Sequence, residues 1–169
     1  MTAALDWISN FLYAAILAGV PLLFGTLGEI LTEKAGNINL GVEGMMYMGA
    51  VFGFMGAYYL DSAIATLLFA FLGGLGGALV YAFLTVTLKA NQNVAGLTLT
   101  IFGTGLANLL GTNMINGSGS GAAMVSDAMK AFFRPMDMGA LTAIPYLGKL
   151  LFNHSLFTYL GIVLAIAAG

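Results

Sequence analysis

The chain has 169 residues, of which 60% are hydrophobic and 7% charged, with a formal net charge of −2 and a mean hydropathy of +0.96. A soluble domain carries roughly 25% charged residues, so this composition excludes an ordinary water-covered enzyme and points to a bilayer as solvent. The absence of cysteine excludes disulfide and thiolate-metal chemistry, and five Lys plus Arg form no nucleic-acid-binding face.

The few charges act as punctuation between apolar runs. Asp6 and Glu29 bracket the 22 uncharged residues Trp7 to Gly28, Glu43 and Asp61 bracket 17, and Asp61 and Lys89 bracket 27. A helix needs about 20 apolar residues to cross a core about 30 Å thick. The predicted fold is therefore all-α, a polytopic transmembrane bundle with spans near 9–28, 44–60, 63–88 and 94–115. A fifth apolar run, 156–169, is only 14 residues and has no polar flank, which reads as a chain cut inside a span; a short interfacial helix is the other reading. No basic segment before Trp7 marks a cleavable leader.

Pro21, between Gly19 and Gly25, is expected to bend the first span. Gly49 with Gly53, and Gly73 with Gly77, are spaced for close backbone approach, which is how helices associate in lipid. Lys34 and Lys89 favour a cytoplasmic placement for the first and third connections, with the N-terminus outside.

The connection Glu33-Lys34-Ala35-Gly36-Asn37-Ile38-Asn39-Leu40-Gly41-Val42-Glu43-Gly44 departs from a plain bundle. Asn39 suits a helix N-cap, and Glu43 falls in the turn beyond it, where the helix dipole favours an anion. Gly36 and Gly41 permit unusual backbone angles or close contacts. Two readings stand: a broken or re-entrant segment near 36–44 offering free backbone groups, as in transporters, or a capped surface loop. Asn91-Gln92-Asn93 is an interfacial polar turn suited to contact with another subunit. In the fourth span Thr100, Thr104, Asn108 and Thr112 recur every four residues. Such a stripe either faces a polar path or is satisfied by interhelical and i−4 bonds.

The connection 116–155 opens on the flexible Asn116-Gly117-Ser118-Gly119-Ser120-Gly121. From Met124 to Arg134 apolar and charged residues alternate at helical intervals, predicting an amphipathic helix; a solvated loop helix is the default reading, and a helix that lies on the membrane or meets a protein is the other. His154 is the sole histidine, without an adjacent acid, and no nucleotide-binding Gly-Lys-Ser/Thr triplet occurs. No catalytic residue, metal site or cofactor is therefore assigned, and any ATPase belongs on another chain.

The stretch Thr32 to Met46, with the glycine-rich third span, Lys89 and its polar turn, the Thr-rich fourth span and Ile144-Pro145-Tyr146-Leu147-Gly148, resembles the permease subunits of bacterial ABC importers for nucleosides and simple sugars. These permeases are related to those for ribose and branched-chain amino acids. The resemblance implies that residues 1–169 are the N-terminal part of a permease domain in the cytoplasmic membrane, with the connection 116–155 outside. It implies partners: ATPase subunits, a second permease subunit, an extracytoplasmic substrate-binding lipoprotein and membrane lipid, but no nucleic acid. A cytoplasmic coupling helix would lie beyond Gly169. Candidate path residues are Asn39, Glu43, Thr100, Thr104 and Asn108, with Gly36, Gly41 and Gly44 structural. An ion-coupled carrier or channel using Glu43 is the alternative, followed by a scaffold without cargo.

Overall fold

The computed structural model describes residues 2–119, 121–136, 138–142 and 144–168. Its long helices are α1 (Thr2–Lys34), α2 (Val42–Leu60), α3 (Ala63–Ala82) and α4 (Gln92–Gly117); α5 (Asp127–Phe132), α6 (Leu147–Phe152) and α7 (Leu156–Ala168) are short. A π-helical segment, Phe83–Thr87, extends α3, and no strand occurs among the described residues. Three helical stretches are long and apolar enough to cross a membrane: Ala4–Lys34, Ala63–Thr87 and Gln92–Gly117. The fold is the expected all-α membrane class.

α1 extends beyond the expected span at both ends, because charges mark the entry into hydrocarbon and a helix can continue through the interface. Pro21 lies inside α1 without ending it. α2 is not one of these three stretches; Glu43, three tyrosines and four glycines dilute it. Its 19 residues still measure about 28 Å, close to the hydrocarbon thickness.

The chain divides into two compact units, Gly28–Phe132 and the two stretches Met1–Leu27 and Phe133–Gly169. In the first of these, α2 packs on both α3 and α4. Glycine makes that possible. A Cβ on Gly56 would meet the Ala65 carbonyl oxygen at 2.9 Å, and one on Gly73 would meet that of Met48 at 2.9 Å. Partners on α3 fall in number as those on α2 rise, so these helices are antiparallel. Across the other interface, Gly41 faces Gly96, and Gly44 faces Leu99, Thr100 and Gly103, so α2 and α4 run parallel. A Cβ on Gly44 or Gly103 would overlap the facing backbone. Such contact is the van der Waals route to association in lipid.

The connections confirm the alternation. Gln92, just past the third connection, bonds Asn37 and Ile38 in the first, while Ser126 Oγ donates to Asp61 Oδ1 at the second. The first and third connections thus share one end of the trio, and the second and fourth share the other.

The amphipathic helix expected over 124–134 is much shorter. α5 spans six residues, capped by Ser126 Oγ accepting from the Met129 N–H at 3.2 Å, with Met129 buried and Met124 exposed. The Ser126 cap fixes its start, and Pro135 disfavours helical backbone at Arg134, so the helix stays short of the several turns that a membrane-lying helix needs. The linker expected from Asn116 is helical up to Gly117; Ser120 lies outside the described residues.

In the other unit, α7 meets α1 at Gly161, where an added Cβ would lie 3.1 Å from the Leu23 side chain. His154 is 2% exposed, stacked on Tyr13 with its Nε2 at 2.7 Å from the Leu150 carbonyl oxygen. It is a packed histidine between rings.

Two outcomes check this architecture. Since the chain has no cysteine, single substitutions Lys34→Cys and Lys89→Cys should react with an impermeant maleimide from one membrane face, and Leu60→Cys and Met124→Cys from the other. Gly44→Ala should lower stability by about 1–3 kcal/mol through overpacking, read by thermal unfolding in detergent. Gly76→Ala, which meets nothing within 4 Å, should not.

Candidate functional site

The connection between α1 and α2 is where polar chemistry concentrates. α1 ends in a Schellman motif: the Gly36 N–H donates to the Glu33 carbonyl at 2.9 Å and the Asn37 N–H to that of Thr32 at 3.0 Å. Gly36 takes φ +83°, a left-handed angle that favours glycine. Seven residues, Ala35 to Gly41, then separate the helices. The expected interruption is thus a connection between two complete helices rather than a break within one.

Side chains take up several of its backbone groups. The Asn39 N–H donates to Glu29 Oε1 at 2.8 Å, and Glu29 Oε2 accepts from Thr32 Oγ1 at 3.0 Å. The Ile38 N–H donates to Gln92 Oε1 at 2.9 Å, and the Ile38 carbonyl accepts from the Tyr81 hydroxyl at 2.6 Å. Gln92 Nε2 donates to Asn37 Oδ1 at 3.0 Å, and the Leu40 carbonyl accepts from Thr100 Oγ1 at 2.8 Å. Helices α1, α3 and α4 thus each supply a side chain to hold one turn. Buried peptide groups need partners, and here side chains provide what a helix would have provided.

Asn39 is 5% exposed, and its Oδ1 accepts from the Gly41 N–H at 3.0 Å. This is an Asx-type turn and not the expected N-cap; Gly41 holds that position without a side-chain bond. Gly41 packs on Gly96 at φ −93°, so closeness and not backbone angle is what its lack of a side chain serves. Glu43 lies in the first turn of α2, as expected from the dipole argument, and is exposed.

The threonine stripe divides. Thr100 reaches across to Leu40, and Thr104 Oγ1 donates to the Thr100 carbonyl at 2.8 Å, the i−4 pattern. Asn108 and Thr112 are exposed. Among the described residues neither these two nor Glu43 has a hydrogen-bond or ion-pair partner. The structure therefore brings Asn39 and Thr100 into one cluster and leaves Glu43 and Asn108 outside it.

Glu29, Tyr81 and Gln92 are the residues that sequence reasoning missed as partners of this turn. Signals existed: a phenol within an apolar run must find an acceptor, and Gln92 lies in a polar turn expected at the interface, from which its amide reaches the first connection. A cleft of about 250 Å³ adjoins the cluster, lined mainly by apolar atoms with Thr32, Asn37, Asn39, Tyr81 and Thr85 among its residues. Among the described residues no three His, Cys, Asp or Glu groups gather to hold a metal ion.

Apolar helices of membrane length, packed through glycine and joined by connections that alternate between two ends, define a multi-pass membrane protein. The chain belongs to the family of permease components of the branched-chain amino acid transport system, whose model matches residues 10–169. A putative glucose ABC transporter permease from Haloferax volcanii is 33% identical over 90% of this chain and 50% of its own length. A guanosine ABC transporter permease from Bacillus subtilis is 28% identical over 95% of this chain and 49% of its own. A nucleoside ABC transporter permease from Lactococcus lactis subsp. cremoris is 31% identical over 90% of this chain and 48% of its own. The chain thus spans about half the length of these relatives, which are transport components and not enzymes. No solved structure matches the chain.

Replacing Glu29 with Ala leaves the Asn39 amide without its acceptor. An unsatisfied buried donor costs about 1–3 kcal/mol, so hydrogen exchange of a peptide covering residues 37–40 should accelerate about tenfold or more. Exchange in the α2–α3 interface should not change.

Proposed function

We propose that this chain is the N-terminal part of a permease domain of an ABC importer in the cytoplasmic membrane, carrying a nucleoside or a simple sugar. The observation that carries this reading is the family match over residues 10–169, with relatives named for glucose, guanosine and nucleosides. In this reading a separate ATPase pair drives the cycle, a second permease subunit completes the path, and an extracytoplasmic lipoprotein delivers the substrate. The permease itself is passive. It alternates between outward- and inward-open forms and hydrolyses nothing.

Hydroxylated substrates shed water on entering a bilayer and need replacement hydrogen bonds. Candidates for that role are Asn39, Glu43, Thr100, Thr104 and Asn108. Glu43 and Asn108 are the strongest, since their polar groups are exposed and uncommitted within the chain, and Asn108, inside a span, must face protein or a watered path. Asn39 and Thr100 act through the connection they brace. Transient bonding fits a path, since tight binding would prevent release.

The test is uptake by the whole permease, reconstituted with its ATPase and binding protein and offered labelled guanosine or glucose. ATP-dependent accumulation that survives an uncoupler supports the reading; accumulation that collapses with the uncoupler and does not need the ATPase overturns it in favour of an ion-coupled carrier. Asn108→Ala and Glu43→Ala should each lower uptake about tenfold, the size of one lost hydrogen bond to a polar ligand, with complex assembly unchanged on size exclusion. Normal uptake by both removes them from the path.

A further inference from the structure

The unit formed by the start of α1 and the chain beyond Phe133 holds a cleft of about 330 Å³, lined by Asp6, Ser9, Asn10, Pro145, Tyr146 and Lys149. Its chemistry is unusual for this chain. The sequence carries five basic and seven acidic residues, and one of each sign opens on this single cavity. The two are not paired with each other. Among the described residues Asp6 has no hydrogen-bond or ion-pair partner, while Lys149 Nζ donates to Asn10 Oδ1 at 2.5 Å and lies 5.2 Å from the centre of the Tyr13 ring. An ammonium has three donors, so Lys149 retains capacity for an anion, and Asn10 retains its amide N–H groups beside it.

The wall behind Lys149 is fixed. Tyr13 stacks on His154 at 5.2 Å between ring centres, and His154 is almost fully buried. Tyr146 takes φ +64°, an uncommon angle for an aromatic residue, at the rim. On α1, Asp6, Ser9, Asn10 and Tyr13 recur at helical spacing, while Leu5, Ile8, Phe11 and Leu12 are exposed and apolar. Trp7 and Phe11 stack at 5.6 Å and are both exposed.

Location narrows the ligand. Asp6 is the last charge before the uncharged run of α1, and Lys149 is the last charge before α7. Such positions lie at the water–hydrocarbon boundary, where exposed Trp is favoured. A ligand that meets both charges there carries a cation and an anion on one headgroup, with hydrocarbon below. We propose that this cleft binds the phosphoethanolamine headgroup of a membrane phospholipid. Lys149 and the Asn10 amide hold the phosphate, Asp6 accepts from the primary ammonium, and the acyl chains lie along the exposed apolar side of α1. A choline headgroup cannot donate to Asp6, and a headgroup without a cation leaves Asp6 facing only negative charge.

The experiment measures lipid binding to the delipidated chain in detergent by native mass spectrometry, using phosphatidylethanolamine, phosphatidylcholine and phosphatidylglycerol with identical acyl chains. Phosphatidylethanolamine is expected to bind about tenfold more tightly than the other two, the size of one charge-assisted hydrogen bond. Asp6→Asn should erase that preference while retaining phosphate-dependent binding. Lys149→Gln should weaken all three lipids about tenfold, and Lys130→Gln, outside the cleft, should change nothing. Should Lys149→Gln fail to fold by circular dichroism, Asp6→Asn carries the test alone. Glycerophosphoethanolamine that matches the intact lipid in affinity assigns the cleft to the soluble headgroup compound, overturning the membrane source; weaker binding assigns it to the bilayer. Equal binding of the ethanolamine and choline lipids by the unsubstituted chain, or an undiminished preference in Asp6→Asn, overturns the proposal.

Discussion

Within lipid, a peptide N–H or carbonyl has no water to turn to, and apolar helices gain little by touching one another in place of acyl chains. Both pressures are visible in the unit Gly28–Phe132. Helix α2 is held by glycine-to-backbone contact with α3 and α4, at distances that admit no Cβ on Gly44 or Gly103. The turn that precedes α2 has left helical bonding behind, and its peptide groups are taken up by Glu29, Tyr81, Gln92 and Thr100. Close approach and internal satisfaction are two responses to one solvent.

How much of this could be read from the residues depended on the range of the interaction. The existence of the long helices followed from the spacing of charges, since Asp6, Glu29, Glu43, Asp61 and Lys89 interrupt the apolar runs. Helix ends did not follow, because a charge marks where hydrocarbon stops while α1 continues to Lys34. The left-handed glycine at Gly36 was legible as a local matter. Its neighbours' partners were not: Gln92 and Asn37 are 55 positions apart, and Tyr81 and Ile38 are 43 apart. No local pattern encodes such pairs. The segment 124–134 shows the opposite failure, where helical spacing of apolar residues suggested a long amphipathic helix and the Ser126 cap and Pro135 bound one of six residues.

Thr100, Thr104 and Asn108 were found by their polarity inside an apolar run and Asn39 and Glu43 by their place in the first connection, and the structure separates them by occupation. Thr100 and Thr104 bond within the chain, and Asn39 closes its own turn. Glu43 and Asn108 keep their capacity for something else. That separation needed coordinates, because threonine and asparagine look equally available in a sequence, whereas threonine alone returns readily to the carbonyl one turn back.

The ties at the two ends of α2 also bear on kinematics. Near its start, Gln92 of α4 grips the preceding turn. At its finish, Asp61 is fastened to Ser126, beyond the far end of α4. A rod tied at both tips and seated along its length against two neighbours loses those contacts when it slides or pivots by itself. Moving α2 apart from α3 and α4 therefore breaks these ties, whereas moving the three helices together keeps them.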